Sequence, residues 1–145
     1  VLTVLDLSWG AFWDVAAFTI LVGMIFARVG CQLNGCCAGR PSRALGVYLP
    51  NHAGIWERRI PTQFLEGAWA SVLLAGAVVL WPRLPFEGAL FLLVAGGYAT
   101  GRLVLESARE RQAGQGAFTI QHAISLLIMV ASFTTLRALW PVLKG

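Results

Sequence analysis

The sequence predicts an all-α integral membrane protein with four transmembrane helices and a long Gly/Arg/Cys-rich loop between the first and second. Three observations lead there. Of the 145 residues, 57% are hydrophobic and only 12% charged, against about 25% charged and about 45–50% apolar in soluble domains. The mean hydropathy is +0.70. The apolar residues also gather into four runs, separated by stretches of Gly, Pro and Arg. Together these features exclude a soluble enzyme, a disordered region and a disulfide-rich secreted module.

The four helices are expected at about 11–27, 65–81, 86–105 and 118–140. Each is close to the roughly 17–25 residues that cross about 30 Å of hydrocarbon as a helix. None alternates with the period of two that barrel strands require, and backbone groups in lipid must bond within their own segment. The first run is interrupted only by Asp14. Trp81-Pro82-Arg83-Leu84-Pro85 is a proline-broken turn that makes the second and third helices a hairpin. Gly114-Gln115-Gly116 separates the third from the fourth. Residues 1–145 form a single membrane domain. Its start at Val1-Leu2-Thr3, without an initiator methionine or a recognisable signal peptide, is expected of a fragment or a processed chain.

Four crossings put segments 28–63 and 106–117 on one side, with Arg28, Arg40, Arg43, Arg58, Arg59, Arg102, Arg109 and Arg111. Arg83, Arg137 and Lys144 fall on the other. The net charge of +4 is modest, so placement matters more than total. The positive-inside rule makes the arginine-rich side cytoplasmic, unless those arginines bind a substrate.

Arg102 is the sharpest anomaly, because an ionisable residue in a membrane helix is costly and usually faces the bundle or a cavity. Tyr98, Arg102 and Glu106 are four apart and share one helix face. A guanidinium snorkelling from a helix end is the plain alternative. The aligned Tyr98 and Glu106, and the neighbouring Gly97 and Gly101, favour a polar site. Gly97-x-x-x-Gly101 itself is read as a close helix contact.

The second cluster runs from Arg28 through Gly30, Cys31, Asn34, Gly35, Cys36, Cys37 and Gly39 to Arg40. Small residues let backbone approach a ligand, and arginine forks suit phosphate or carboxylate. Contact with lipid headgroups is the simpler reading of those arginines. The C-x4-C-C spacing of the three cysteines is not a usual zinc pattern, and the only histidines are His52 and His122. Packing is the leading reading of the cysteines, a disulfide or redox role comes second, and no metal or other cofactor is expected. The third cluster is Arg59-Ile60-Pro61-Thr62-Gln63-Phe64-Leu65-Glu66, where Thr62 is expected to cap the second helix and Glu66 to lie in its first turn. His122 reads as a packing residue and His52 as a solvated loop residue.

Taken together, these clusters resemble the prolipoprotein diacylglyceryl transferases of bacteria. The resemblance rests on Arg28, Gly30, Asn34, Gly35, Gly39 and Arg40, on the Pro-Thr-Gln-Phe-Leu-Glu box at 61–66, and on Tyr98, Arg102, Glu106 and Arg109. The family usually has Asn where Cys31 stands, Glu where Cys36 stands, His where Ile60 stands and Tyr where Leu65 stands. The chain is similar to the C-terminal part of a larger seven-helix enzyme, whose N-terminal helices carry a histidine implicated in catalysis.

The resemblance implies transfer of a diacylglyceryl group from phosphatidylglycerol to the lipobox cysteine thiol of a preprolipoprotein. It implies a multi-pass protein of the bacterial cytoplasmic (inner) membrane, with its arginine-rich side outside. That orientation opposes the positive-inside count and gives the arginines an anionic headgroup to hold. The expected partners are phosphatidylglycerol, the lipobox peptide and membrane lipids, with no nucleic acid. Arg28 and Arg102 are the expected catalytic clamp on the departing phosphate. Asn34, Gly35, Gly39, Arg40, Gln63, Glu66, Tyr98 and Glu106 are expected to bind substrate or orient the clamp. The competing reading is a non-catalytic membrane protein that binds anionic lipid and uses its cysteines structurally or for redox chemistry.

Overall fold

The structure, a computed structural model, describes residues 8–37, 39–50, 54–106 and 120–144. Its long elements are α1 (Trp9–Leu33), α2 (Thr62–Leu80), α3 (Ala89–Glu106) and α4 (Ile120–Lys144). Two short strands, β1 (Val47–Pro50) and β2 (Trp56–Arg59), lie between α1 and α2. Among the described residues, four helices are long and apolar enough to cross a membrane. Much of their outward surface is bare hydrocarbon, with Phe26 and Leu127 each 70% exposed. A folded protein leaves that much apolar surface uncovered when lipid is the solvent.

The seams between helices are built from small residues. Ala17, Leu21, Ala70, Ala77, Leu90 and Val94 form the buried core. A Cβ added at Gly101 would overlap the Trp69 indole, and one at Gly97 would crowd Leu73. The Trp69 indole N–H donates to the Gly97 carbonyl at 3.1 Å, tying α2 to α3. Gly97 and Gly101 are therefore a close helix contact, as their spacing predicts. On the other side of α3, Gly96 faces Phe133 and Ser132 of α4. Lipid tails are as apolar as leucine, so such close contact and interhelical hydrogen bonds supply what burial supplies in water.

Asp14, the lone acid in the first apolar run, is buried. Its carboxylate accepts the backbone N–H of Gly88 at 2.8 Å and of Phe91 at 3.0 Å. It thus satisfies the start of α3 from a neighbouring helix, where backbone donors have no partner of their own. Nearby, the Ser8 hydroxyl donates to Glu87. These contacts fasten the end of the bundle opposite the arginines.

Element boundaries differ from the sequence expectation in a consistent way. Helix α1 runs on to Leu33 rather than stopping at Ala27, so Arg28, Gly30 and Cys31 are helical. Nothing before Gly35 breaks the helix, and Arg28 finds a partner inside the protein. Helix α2 begins at Thr62, with Pro61 in the cap position and no side-chain cap. The expected Thr62 cap is therefore corrected: its hydroxyl donates instead to the Cys37 carbonyl at 2.8 Å. Helix α3 begins at Ala89, after Gly88 at φ +94°. Helix α4 carries Pro141 in its last turn. The Trp81–Arg83 turn is a 3₁₀ segment, as its proline suggests. Gly114, Gln115 and Gly116 lie outside the described residues.

The loop between α1 and α2 is more ordered than its composition suggests. Strands β1 and β2 pair antiparallel, with Val47 opposite Arg59 and Tyr48 opposite Arg58. Ser42 N–H donates to the Arg58 carbonyl at 2.9 Å, and Gly39 N–H to the Ile60 carbonyl at 2.9 Å. The hairpin is thereby stitched to the chain leaving α1.

The α2–α3 seam makes a direct prediction. Gly101→Ala should destabilise the detergent-solubilised protein by about 1–3 kcal/mol, through overpacking against Trp69. Gly76→Ala has open space at its Cβ, so it should be neutral or gain up to about 1 kcal/mol from helix propensity. Thermal unfolding followed by circular dichroism reads both, and equal effects would contradict the seam described.

Candidate functional site

The site is built around one carboxylate. Glu66, near the start of α2, is buried at 3% exposure. Its Oε2 meets the Arg28 guanidinium of α1 at 2.5 Å, and its Oε1 meets that of Arg102 of α3 at 2.9 Å. Arg102 also reaches Glu106, one turn further along α3, at 3.4 Å. Tyr98 hydrogen-bonds to Arg28. Three helices therefore meet through ionic side chains at a single point.

Local sequence explains the approach. Gly67 follows Glu66, and a Cβ there would lie 3.5 Å from that of Arg28, so α1 and α2 run close beside the charges. Gly101 precedes Arg102 and brings α3 onto α2 over Trp69. A buried ion pair rarely stabilises more than apolar residues of the same size, so such a cluster within lipid points to a function. With both glutamates ionised, two arginines and two glutamates balance. Each guanidinium has five donors, and the side chains of Arg28 and Arg102 keep 19% and 14% exposure. Both guanidiniums are thus oriented by carboxylates and still reachable.

Beside it lies a cavity of about 340 Å³ between α1, α3 and α4. Ala17, Leu21 and Phe91 line its apolar length, while Tyr98, Arg102 and Gln121 stand at one end. An oily chamber with a guanidinium at one end is shaped for an amphipathic molecule. Ser125 of α4 also lines it and is buried.

The remaining expected site residues take other places. Gln63 donates from Nε2 to the Cys36 carbonyl at 2.6 Å, holding the cysteine loop on α2. Asn34 is the exposed C-cap of α1, with Gly35 following at φ +63°. Gly35 N–H donates to Gln32 and Cys36 N–H to Cys31, the paired bonds of a Schellman turn. Gly39 is buried, and its carbonyl accepts from Arg59. Arg40 is exposed, and its carbonyl accepts from Ile60 N–H. The structure thus brings Arg28, Glu66, Tyr98, Arg102 and Glu106 together. Gly35 and Gly39 serve the backbone, while Asn34 and Arg40 stand outside that group. His52, Arg109 and Arg111 lie outside the described residues.

Sequence reasoning missed Ser125, Trp69 and Gln121. Ser125 and Ser132 are seven apart and both buried on α4, a periodicity legible in retrospect. The Cys36 thiol is pushed up to about 11, mainly by its hydrogen bond to Cys31, then by burial and by Cys37.

Helices spanning a bilayer around a buried, carboxylate-oriented arginine pair define a polytopic membrane protein with an intramembrane ionic site. A family model described as prolipoprotein diacylglyceryl transferase matches residues 1–138. The chain belongs to that family. It is 35% identical over 100 residues to a phosphatidylglycerol–prolipoprotein diacylglyceryl transferase of Dehalococcoides mccartyi, covering 66% of this chain and 38% of the relative. The enzyme of the same name from Agrobacterium fabrum is 28% identical over 141 residues, covering 94% and 49%. That from Campylobacter jejuni is 31% identical over 108 residues, covering 72% and 38%. The chain thus spans about half or less of the length of these relatives. No solved structure matches it.

If Glu66 is the shared counter-ion, Glu66→Ala should cost on the order of 3 kcal/mol, because it removes the carboxylate partner of a partly buried Arg28 and one of the two partners of Arg102. A double-mutant cycle of Glu66→Ala with Arg102→Ala should show coupling of at least about 1 kcal/mol. Additive losses in detergent unfolding would mean that the two side chains do not act together.

Proposed function

We propose that this chain supplies the arginine-bearing half of an enzyme that transfers a diacylglyceryl group from phosphatidylglycerol to the lipobox cysteine thiol of a preprolipoprotein. The observation that carries the reading is the Arg28–Glu66–Arg102 bridge, whose Arg102 stands at the polar end of an apolar cavity. Acyl chains suit the cavity, and a phosphodiester suits the guanidinium at its mouth. The names of the relatives support the substrate pair.

The charge balance of the reaction explains why arginines belong there. The thiolate sulfur attacks the glyceryl carbon and forms a C–S bond, while the C–O bond to phosphate breaks. The phosphodiester monoanion leaves as a glycerol phosphate dianion. Negative charge therefore gathers on the phosphate as the bond breaks, and guanidiniums aimed at it bind the transition state better than the ground state. Glu66, Glu106 and Tyr98 hold the two forks in place, so little reorganisation is needed at that moment.

The thiol proton needs an acceptor, since a free thiol titrates near 8.5. Glu66 and Glu106 are engaged with arginines. His122 reads as a packing residue of α4, and the family resemblance puts a histidine implicated in catalysis on N-terminal helices that longer relatives carry, so we assign the base there. The chain alone should not form thioether on a lipobox peptide in phosphatidylglycerol liposomes. Joined to the N-terminal half of a family member, it should. In that active form, Arg28→Lys and Arg102→Lys should each lose roughly 10–100-fold, or about 1.5–3 kcal/mol, because a point charge cannot replace the fork. Arg137→Lys should be nearly silent. Equal tolerance at all three positions would instead favour a lipid-binding protein whose arginines face headgroups.

The same reading orients the molecule in the bacterial cytoplasmic membrane, with the Arg28–Glu66–Arg102 end outside, where lipobox cysteines are modified. In a background lacking native cysteines, Ser42→Cys should label with an impermeant maleimide in intact cells. Arg83→Cys should label only after permeabilisation. The reverse pattern would place the arginines by the positive-inside rule and overturn this orientation.

A further inference from the structure

The cysteines do something the reaction above does not use. Cys31 lies in the last turn of α1, and Gly35 at φ +63° closes the helix in a Schellman turn. Such a turn brings the third residue from the helix end against the second residue beyond the cap, usually as an apolar contact. Here those two residues are Cys31 and Cys36, joined through Cys36 N–H to the Cys31 carbonyl at 3.1 Å. Cys37 then adopts φ +64°, a left-handed conformation unfavourable for a residue with a Cβ. All three sulfurs end within 4.8 Å of one another, and all three are free thiols. This explains why C-x4-C-C, unremarkable as a zinc spacing, converges in space.

The cluster is also held from behind. Thr62 donates to the Cys37 carbonyl at 2.8 Å and Gln63 to the Cys36 carbonyl at 2.6 Å. Two side chains of α2 thus fix the backbone that carries the second and third thiols. A packing role would ask for neither a left-handed cysteine nor the meeting of three sulfurs. A disulfide would join two and leave the third unexplained.

We propose that Cys31, Cys36 and Cys37 form a three-thiolate site for a soft monovalent cation of the Cu(I) class. Thiolates prefer soft metals, Cu(I) and zinc among them. Metal–sulfur bonds of about 2.3 Å in a trigonal plane place sulfurs about 4 Å apart, within small adjustments of the arrangement seen. Structural zinc takes four ligands. Among the described residues, no histidine or carboxylate joins the three sulfurs, so three-coordinate Cu(I) fits better. Binding replaces three S–H protons with three Cu–S bonds, releases the protons to solvent and changes no oxidation state.

The test uses the whole chain in detergent, reduced and kept anaerobic, with Cu(I) supplied as its bicinchoninate complex. The chain should withdraw one Cu(I) per molecule. Cys31→Ser, Cys36→Ser and Cys37→Ser should each weaken binding at least tenfold, and X-ray absorption should show a shell of three sulfurs. Zn(II) should bind far more weakly in the same competition format. As a measurement that needs no variant, Cu(I) should protect all three cysteines of the parent protein from prolonged maleimide labelling, counted by mass spectrometry. Three labels in the presence of Cu(I), or parent-like copper uptake by the triple serine variant, would overturn the proposal. So would weakened binding in only two of the three serine variants, which would reduce the site to a dithiol. Tighter Zn(II) than Cu(I) binding would overturn the choice of metal.

Discussion

A carboxylate buried in a membrane bundle must be neutralised, and Glu66 is neutralised twice. Arg28 of α1 and Arg102 of α3 take one oxygen each. Much else at that end of the molecule follows from this demand. Gly101 has to be small where Trp69 crosses, and Gly67 sits within contact distance of Arg28 where α1 passes. Helix α1 has to continue past Arg28, because its guanidinium reaches Glu66 from a helical position. The opposite end solves a smaller version of the same problem. There Asp14 spends its charge on the free N–H groups of α3, and no cation is needed among its named partners.

The fold was legible to the extent that it depends on local chemistry. Four apolar runs of bilayer length, a Trp81–Pro85 turn and a Gly97–Gly101 seam all follow from runs, breakers and spacing within a few residues. The Arg102–Glu106 pair was equally legible, since i and i+4 share a helix face. What was not legible depends on partners distant in sequence. Arg28 looked like a helix exit because its counter-ion sits on another helix. Asp14 looked like an interruption because what it caps is backbone, which leaves no trace in side-chain identity. Thr62 carries the sequence signature of a cap, but the cysteine loop offers its hydroxyl a carbonyl instead. The β1–β2 hairpin is made of four-residue strands, one of which ends in Pro50. Its pairing also draws on Gly39 and Ser42, outside both strands.

The loop between α1 and α2 gathers several features that would otherwise look unrelated. Its backbone is tied to α2 through Thr62 and Gln63, and its hairpin is tied to the chain leaving α1. Tyr48 stacks near Arg58, with 5.8 Å between guanidinium carbon and ring centre. Exposed Tyr48 and Trp56 stand where aromatic rings commonly meet the headgroup layer. Among the described residues between α1 and α2, four arginines outnumber one glutamate. A cationic, aromatic surface at that end of the molecule is suited to meeting anionic headgroups.

The placement of the opposite charges along the chain also bears on how it enters the bilayer. A single helix released sideways from the insertion machinery with an unmatched charge incurs about 2.5–3.5 kcal/mol near the bilayer centre. Arg28 and Glu66 stand on consecutive helices, so α1 and α2 released as a hairpin carry that pair into lipid already neutral. Helix α3 follows with its own internal pair, Arg102 and Glu106, and meets Glu66 only when it docks. The ionic centre that holds the finished bundle together can therefore be assembled in electrically balanced instalments, each made as the ribosome delivers the next span.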